Sequence, residues 1–401
     1  MLLLALSIMN PAGALSAEIP ARSDEVDPAT WLSYSSNDGF FKLKPNAQLQ
    51  IDGATFDQDR TPLSAAGEVR RARLGIDASF GRDWDFHVAS DFSSDELDPK
   101  FIQDLYLRYS GFRPIEIRVG QFKEPISLES QTSSKYVTFM ERALPLAFVP
   151  SYHLGIGAAS HGDNWSAASG VFREGVQDGF GDSAGWGASA RLTIAPLHAS
   201  RKIVHFGLSS AYRVPDDASR SLRFRTHPES DLTDVYFINT HDMGDVGEHA
   251  LVGMETAVVL GPWSLQGEYL HDFVHRDGGK ADIDFYGWYA YSSWFLTGES
   301  RHYNAGRGAF GRLKPNRNFD LAGGIGAWEL AVRYSTLNLN DSAIAGGRED
   351  NATLGLNWYP NTNLRLMANY VFVHVDEVTT GRHRHSSENP RVLQFRVQYE
   401  F

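Results

Sequence analysis

From residue 40 to the end of the chain, apolar and polar side chains alternate with a period of two. Leu49 and Ile51, for example, alternate with Gln48, Gln50 and Asp52. Successive side chains of a β-strand point to opposite faces, so each such segment is predicted to be a strand with one apolar and one polar face. We place the strands near 40–54, 67–80, 82–92, 101–110, 112–122, 153–161, 163–173, 184–196, 201–213, 250–260, 262–275, 282–297, 323–336, 350–360, 362–375 and 389–401.

Two kinds of all-β fold suit half-polar strands: a soluble sandwich with its polar face outward, and a membrane barrel with its polar face inward. The segments are about 10 residues long, which is the length that a tilted strand needs to cross a bilayer. The apolar phase carries aromatic residues near segment ends, as an interfacial girdle requires. They are Phe41, Phe80, Trp84, Tyr109, Trp263, Tyr269 and Tyr399.

The links between the predicted strands alternate between long and short, which is typical of outer-membrane barrels. A soluble sandwich gives no reason for this alternation. We therefore predict a transmembrane antiparallel β-barrel of about 16 strands, wide enough to enclose an aqueous lumen. The link 298–322 is long although it lies on the short-turn side, so we expect it to fold inward or to interact beneath the barrel. The long links are 55–66, 123–152, 174–183, 214–249, 337–349 and 376–388.

A pore is the default function of such a barrel, and whatever narrows the pore sets its selectivity. We expect 123–152 and 214–249, which are far longer than a hairpin needs, to fold inward as constriction loops. The barrel domain is predicted to span 40–401. Residues 1–17 are predicted to be a secretory signal peptide, with an apolar N-terminal strand or helix as the alternative, and 18–39 a flexible segment.

Composition removes several other classes of protein. The 401 residues include no cysteine, which excludes disulfides, zinc–thiolate sites and a cysteine nucleophile. No run approaches the roughly 18 consecutive apolar residues of a membrane-spanning helix. The formal charge of −12 argues against nucleic acid as a partner. The motif GRGAFG at 306–311 matches a dinucleotide fingerprint but precedes no helix, so we predict no cofactor, no metal site and no enzymatic activity.

The first long link carries a distinctive motif. It begins GQFKEP at 120–125 and continues with TSSKYVTFMERALP at 132–145. Together with four later stretches, spread in order over most of the barrel domain, this motif resembles the phosphate-selective porin O and P family. The later stretches are GPWSLQGEY at 261–269, SWFLTGE at 293–299, GAWELAVRYS at 326–335 and LGLNWYP at 354–360.

The resemblance implies a homotrimeric channel of the Gram-negative outer membrane, in which a ladder of arginines draws anions to a central phosphate site. It implies that the inward-folded loop places Ser133, Ser134 and Arg142 at that site. Family members that bind phosphate carry a lysine a few residues before the serine pair, where this chain reads LESQ. Lys123 and Lys135 are the candidates to replace that lysine.

The alternation itself provides further candidates for the pore. Arg71, Arg73 and Arg118 lie in the polar phase of their strands, so we expect them to point into the lumen. Arg223 and Arg225 alternate with apolar residues in the second long link and form a two-rung basic strip. A guanidinium group donates paired hydrogen bonds to phosphate or carboxylate and does not deprotonate, so these residues suit an anion pathway.

Acidic residues near these arginines leave the selectivity open. Asp77, Asp104 and Glu116 lie close enough in strand phase to neutralise part of the basic charge. The field in a narrow passage depends on local charge, so the net charge of −12 does not refute an anion pore. We predict passive diffusion of phosphate, polyphosphate or other small anions through an arginine-lined, water-filled pore surrounded by outer-membrane lipid. The alternatives are a general or cation-preferring porin on the same scaffold and an outer-membrane barrel hydrolase.

Overall fold

The computed structural model describes residues 32–93, 101–173, 185–216, 219–341, 344–376 and 387–401, so the predicted signal peptide lies outside the described residues. Within these ranges, sixteen antiparallel strands form one sheet, to which Tyr34–Ser35 adds a two-residue pairing beside the first strand. The sixteen strands are β1 (Phe41–Asp57), β2 (Ala66–Phe80), β3 (Trp84–Asp91), β4 (Ile102–Phe112), β5 (Ile115–Lys123), β6 (Tyr152–His161), β7 (Trp165–Arg173), β8 (Trp186–Ala199), β9 (Lys202–Val214), β10 (Val246–Leu260), β11 (Trp263–Arg276), β12 (Ile283–Phe295), β13 (Ala327–Asp341), β14 (Ile344–Tyr359), β15 (Leu364–Val375) and β16 (Arg391–Glu400).

The sheet closes on itself because its first and last strands also pair. The antiparallel register of β1 and β16 places Gln48 opposite Glu400. Across this seam the side-chain amide of Gln50 donates to Oε1 of Gln398 at 2.6 Å. Each of the sixteen strands therefore has a hydrogen-bonded neighbour on both sides, and the prediction of a closed barrel is confirmed.

The two faces of the barrel have the predicted polarity. Ile51 and Leu74 are 48% and 58% exposed on the outer surface, whereas Gln50 and Arg396 are buried on the inner face. Extensive exposed apolar surface is rare in soluble monomers and is typical of a membrane barrel. Among the described residues, no helix has the length and apolarity that crossing a membrane requires. The exposed members of the predicted aromatic girdle include Phe80, Trp84, Trp263 and Tyr399.

The prediction of a long outer loop at 337–349 is wrong. β13 and β14 remain paired as far as Asp341 opposite Ile344. Leu337 and Leu339 continue the alternation and are fully buried on the inner face. The sequence criterion requires apolar residues on the outer face, and this extension carries polar ones there, so periodicity alone misses it.

The link between β5 and β6 covers 124–151 and contains two short helical elements. They are helix α1 (Leu128–Gln131) and a 3₁₀ turn (Leu144–Phe148). Ser127 caps α1, because its hydroxyl oxygen accepts the backbone N–H of Ser130 at 3.1 Å. This link corresponds to the first predicted constriction loop, with each boundary moved inward by one residue.

The link between β9 and β10 covers 215–245 and corresponds to the second predicted constriction loop. It contains a small antiparallel pair formed by Arg225–Thr226 and Ile238–Asn239. Phe224 in this link packs edge-to-face against Phe148 in the first link, with ring centroids 4.9 Å apart. The two links therefore share one apolar cluster.

The link between β12 and β13 covers 296–326 and turns back toward the barrel. Tyr303–Asn304 and Ala309–Phe310 form a small hairpin. The rings of Tyr303 and Phe310 are buried against inner-face residues near the turn-side ends of β8, β9 and β10. The hairpin therefore contacts the barrel near its turn-side end.

Candidate functional site

Inner-face side chains of the late strands hold the middle of the segment 124–151. Arg365 on β15 donates to the carbonyl oxygens of Val137 and Thr138 at 2.7 and 2.8 Å. Asn357 on β14 donates to the Thr138 oxygen at 3.0 Å. These carbonyls lie outside regular secondary structure, so fixed donors from the barrel wall satisfy them and position the segment.

A buried ion network fixes the segment at Glu141. Arg396 on β16 forms a bidentate pair with Asp52 on β1 at 2.7 and 2.6 Å and also donates to Glu141 at 2.7 Å. Arg70 on β2 forms a second bidentate pair with Glu141, at 2.9 and 3.0 Å. Burial alone would raise the pKa of Glu141, but Arg70, Arg71 and Arg396 hold it well below its ordinary value. Glu141 therefore stays ionised and joins the segment to both sides of the β1–β16 seam.

A buried carboxylate holds the start of α1. Glu268 on β11 accepts the backbone N–H groups of Leu128 and Glu129 at 3.0 and 2.7 Å. The hydroxyl of Tyr289 on β12 donates to the same carboxylate at 2.6 Å. The first N–H groups of a helix lack partners within the helix, so Glu268 both satisfies them and ties α1 to the wall.

Arg71 and Arg73 lie on the inner face, as predicted, but both already have acidic partners. NH2 of Arg71 lies 3.8 Å from Oε2 of Glu141. Nε of Arg73 donates to Asp91 at 2.7 Å, and its NH1 donates to Oγ of Ser134 at 3.1 Å. An anion at this position therefore competes with groups of the protein for these two guanidinium groups.

The two predicted serines have different hydrogen bonds. The Ser134 hydroxyl donates to Oε1 of Gln48 at 3.1 Å while accepting from Arg73, so its proton is committed. Ser133 is less buried, and its oxygen accepts the backbone N–H of Lys135 at 3.4 Å. Ser133 therefore retains the capacity to donate to a ligand, and Ser134 instead positions Arg73.

Lys123 and Arg142 both bind backbone oxygens of the segment. Nζ of Lys123, at the end of β5, donates to the carbonyl oxygen of Ser130 at 2.9 Å. Arg142 donates from Nε to the Glu129 oxygen and from NH2 to the Thr132 oxygen, both at 3.1 Å. Arg142 thus braces the segment in addition to carrying charge.

Four of the predicted cations converge at the contact between the segment and the early strands. Arg71, Arg73 and Arg142 lie near enough to Lys123 for their charges to repel its ammonium group. The carboxylate of Asp104 on β4 attracts both Lys123 and Arg73. The result is a compact group of four basic side chains with acidic neighbours, which we call the basic cluster.

The other predicted site residues have different surroundings. The guanidinium of Arg118 is 5.4 Å from the ring centroid of Tyr106, on β5 and β4 respectively. Burial lowers the pKa of Lys135 from the ordinary lysine value. Arg223 and Arg225 are exposed in the link 215–245. Within the described residues, neither makes an ion pair or hydrogen bond with the basic cluster.

The sequence prediction missed Arg70. In β2 the register shifts by one position, so that Gln50 pairs with Arg71 and Ile51 pairs with Val69. This β-bulge brings both consecutive arginines to the inner face, where strict alternation allows only one. Two adjacent arginines within an otherwise alternating strand are the sequence signal of such a bulge.

Inner-face residues of late strands also anchor the link 215–245. Glu229 accepts the hydroxyl of Thr353 at 2.6 Å and pairs with NH2 of Arg333 at 2.5 Å. The side-chain amide of Gln394 donates to the backbone oxygen of Glu229 at 2.9 Å. Both predicted constriction loops therefore contact the same part of the barrel.

The hairpin of the link 296–326 is anchored on the opposite group of strands. Arg191 on β8 donates to the backbone oxygens of Arg307 and Gly308 at 3.2 and 2.6 Å. The Tyr303 hydroxyl lies 2.6 Å from Nδ1 of His205 on β9. The dinucleotide-like motif thus forms part of a turn that is bound to the barrel wall.

Comparison with known proteins identifies the family. Residues 41–401 match the family described as Phosphate-selective porin O and P. The chain belongs to this family. It is therefore a porin of the Gram-negative outer membrane. In the described residues, no group of three or more histidine, cysteine, aspartate or glutamate side chains is arranged to hold a metal ion.

Individual relatives agree with this assignment. Porin O of Pseudomonas aeruginosa is 29% identical over 408 residues, covering 92% of this chain and 91% of that protein. The outer membrane channel DcaP of Acinetobacter baumannii has a TM-score of 0.57 at 11% identity, covering 92% of this chain and 99% of that chain. The anion-selective porin from Comamonas acidovorans has a TM-score of 0.56 at 12% identity, covering 90% and 100%. The two solved structures show the fold alone.

Proposed function

We propose that this porin lets small anions diffuse passively across the outer membrane, phosphate or polyphosphate among them, without converting them. The observation that carries the proposal is the basic cluster, in which Arg71, Arg73, Lys123 and Arg142 converge beside the available hydroxyl of Ser133. Several fixed positive charges and hydroxyl donors at one point favour an oxyanion. The family, which is described as phosphate-selective, and the Comamonas acidovorans porin, which is described as anion-selective, support the same direction of selectivity.

We further propose that 124–151 and 215–245 lie within the lumen and narrow it. Their anchors are inner-face side chains, mostly on the late strands. On β3–β7, by contrast, most inner-face positions are only partly buried. We call the inner face of β3–β7 the open wall, and we place the anion passage between this wall and the segment 124–151.

Lys123 is our choice for the cation that replaces the missing loop lysine. Its ammonium group reaches the backbone oxygen of Ser130, within the LESQ stretch where phosphate-binding family members carry a lysine. Lys135 is the other candidate, but it follows the serine pair, whereas Lys123 reaches the stretch that precedes the pair. The end of β5 thus supplies a basic side chain where the loop lacks one.

The acidic partners of the arginines imply weak rather than tight binding. Asp91 occupies Nε of Arg73, and Glu141 lies beside Arg71. Partly neutralised cations attract an anion without trapping it, which permeation requires. The same acids favour a second candidate function, a general or cation-preferring porin, because Asp91 and Asp104 lie on the open wall itself.

Two features of the assembly remain proposals. We propose a homotrimer, as the family resemblance implies, and contact of the exposed outer side chains with membrane lipid. Electrophoresis of unheated protein in mild detergent should show a band at three times the monomer mass. Migration as a monomer under conditions that preserve the barrel would contradict the trimer.

Reversal potential measurements in planar lipid bilayers test the selectivity. In a potassium chloride gradient, the sign should indicate chloride preference, and added inorganic phosphate should reduce the chloride current. Lys123→Gln should raise the half-blocking phosphate concentration roughly fivefold, as expected for one solvent-screened charge near the ion. The control, Lys202→Gln, removes an exposed lysine at a strand end and should leave the block unchanged.

The possible results separate the candidate functions. A reversal potential of the opposite sign would reject the anion pore in favour of the cation-preferring porin. Chloride preference without a phosphate block would reject phosphate as the ligand and leave a broader anion channel.

A further inference from the structure

The link 296–326 has two parts that lie on different sides of the barrel rim. Its hairpin is buried against inner-face residues. Its last part, 317–326, which we call the rim turn, contacts the outer face instead. The ring of Phe319 packs edge-to-face against the ring of Trp358, which belongs to the outward-facing phase of β14, with centroids 5.4 Å apart. The chain therefore crosses the rim within this link and passes over the outside of the barrel before β13 begins.

Two stacked tryptophans hold the backbone of the rim turn. Trp328 on β13 and Trp358 on β14 lie directly opposite each other, and their rings stack with centroids 5.4 Å apart. Both indole N–H groups donate to the carbonyl oxygen of Ile325, at 3.1 and 2.9 Å. The backbone N–H of Phe319 donates to the oxygen of Pro360 at 2.7 Å. The rim turn is therefore fixed to the barrel near both of its ends.

Hydrogen bonds within the rim turn close its tip. Asp320 accepts the backbone N–H groups of Ala322 and Gly324 at 2.8 and 2.9 Å. Arg317 pairs with Asp320 at 3.2 Å and donates to the backbone oxygen of Ala322 at 3.0 Å. A turn that is ordered in this way presents its side chains in one arrangement, so binding to a surface costs little further ordering.

The rim turn exposes three large apolar side chains. Leu321 at the tip is fully exposed, and Phe319 and Ile325 are more than half exposed. Apolar surface left in water costs free energy in proportion to its area, and the fixed backbone prevents these side chains from folding back into the protein. Neighbouring exposed apolar side chains on an ordered segment mark a surface for a protein or a membrane.

The position of the rim turn on the barrel favours the membrane. Leu330 and Leu356 continue β13 and β14 away from the rim on the same outer face, and both are exposed. Trp328 and Trp358 lie between this apolar wall and the rim turn. Tryptophan side chains gather where the apolar interior of a membrane meets the lipid headgroups. The rim turn therefore lies beside the headgroup layer of the leaflet that surrounds the turn-side rim.

The charged residues of the rim turn suit the same location. The side chains of Arg317 and Asp320 are about half exposed, beside the apolar tip. A segment that lies in the interface of a membrane keeps its charged groups among the headgroups while its apolar side chains enter the boundary of the acyl chains. The rim turn has both kinds of side chain within ten residues.

We propose that the rim turn is a membrane anchor, whose Phe319, Leu321 and Ile325 side chains insert between the headgroups and acyl chains of the periplasmic leaflet. The short turns of outer-membrane barrels face the periplasm, which identifies the leaflet. The link 296–326 then joins the hairpin on the inner face to the lipid outside, so the membrane helps to fix the depth of this rim. The proposal rests on the lipid contact of the outer wall proposed above and does not depend on ion selectivity.

Single fluorescent labels in phosphatidylcholine vesicles test the anchor. Because the chain has no cysteine, Leu321→Cys accepts one environment-sensitive nitrobenzoxadiazole label. Its emission should lie to the blue of the same label in water. A lipid with a nitroxide beside its headgroup should quench it more strongly than a lipid with a nitroxide at the end of its acyl chain.

Two labelled controls bracket this result. Lys314→Cys, at an exposed position of the same link outside the rim turn, should show neither the blue shift nor the quenching. Leu330→Cys, on the apolar outer wall, should be quenched by the nitroxide lipids.

The outcomes separate the possible occupants of this surface. Quenching at Leu330→Cys without a blue shift or quenching at Leu321→Cys would overturn the anchor and keep the lipid contact of the wall. A blue shift at Leu321→Cys that neither nitroxide lipid quenches would overturn the anchor in favour of a second copy of the porin or another protein. Quenching at neither position would overturn the anchor and the lipid contact together.

Discussion

Strands β3–β7 and strands β10–β16 belong to one closed sheet, yet the side chains on their inner faces are buried to different extents. Along β12 and β16, buried inner positions alternate with outer positions that are exposed at all but one residue. Along β3 and β5, most positions on both faces are only partly buried. The difference arises because the links 124–151 and 215–245 cover the late strands. Identical strand geometry therefore gives a packed wall on β10–β16 and an open wall on β3–β7.

Arginine side chains have different surroundings on the two walls. On the packed wall, Arg333, Arg365 and Arg396 bind backbone oxygens of the segment 124–151 and serve as anchors. On the open wall, Arg108 and Arg118 keep part of their surface exposed. The polar phase of a barrel strand therefore does not by itself mark an arginine as a pore residue, because contacts with the links decide whether the arginine is covered.

The largest expected effect is on stability. Arg396→Met should lower the free energy of unfolding by about 3–5 kcal/mol, because it leaves Asp52 buried without its partner. Arg108→Met on the open wall is the matched change, and it should cost about 1 kcal/mol or less, since Arg108 and Asp85 are both partly solvated. Urea unfolding followed by tryptophan fluorescence measures both. Equal losses would contradict the distinction between the walls.

The accessibility of single introduced cysteines should distinguish the open wall from the packed wall. The chain has no cysteine, so a single introduced thiol reports one position. Ala159→Cys on the open wall should react with a cationic methanethiosulfonate reagent and change the current, whereas Ser293→Cys on the packed wall should not, because Ser293 is 2% exposed. Reaction at both positions, or at Ser293 alone, would place the passage elsewhere.

A smaller effect is expected at the anchor of α1. Glu268→Gln removes one of two acceptor oxygens, so either Leu128 or Glu129 loses a partner for its backbone N–H. We expect a loss of about 1–3 kcal/mol in unfolding free energy and an increase in open-channel current noise. Asp284→Asn, at an exposed position on the outer face, is the control. Unchanged noise in Glu268→Gln would mean that α1 does not limit the passage.

The smallest effect concerns pH. Burial lowers the pKa of Lys135, so this ammonium group loses its proton at a lower pH than an ordinary lysine. Positive charge near the passage should then decline as the pH rises, and chloride preference should weaken with it. Lys135→Gln should remove the part of this alkaline change that Lys135 causes. A reversal potential that follows the same alkaline curve in both proteins would contradict the assignment.

The sequence was enough to predict about sixteen strands, their faces and their closure into a barrel. It failed where outer-face residues become polar, as in the extension of β13 and β14 to Asp341 and Ile344. It also failed at Arg70, because a bulge changes the face of a residue without changing the composition of the strand. Both errors come from assuming an unbroken period.

The sequence alone does not predict the hydrogen-bond partners of the site residues. The predicted face of Arg73 is confirmed, but its bonds to Asp91 and Ser134 depend on strand register and on how a distant segment folds back. Ser134 was predicted as a ligand, and its proton is instead committed to Gln48. A period of two specifies which way a side chain points, and it contains no information about which group it meets.

The position of the anchors along the chain has a consequence for biogenesis. Arg333, Arg365 and Arg396 all belong to the last four strands. They donate hydrogen bonds to backbone oxygens of the segment 124–151. During synthesis the segment 124–151 is therefore complete well before the side chains that anchor it. Truncation of the C-terminal quarter would remove these anchors as well as the β1–β16 seam.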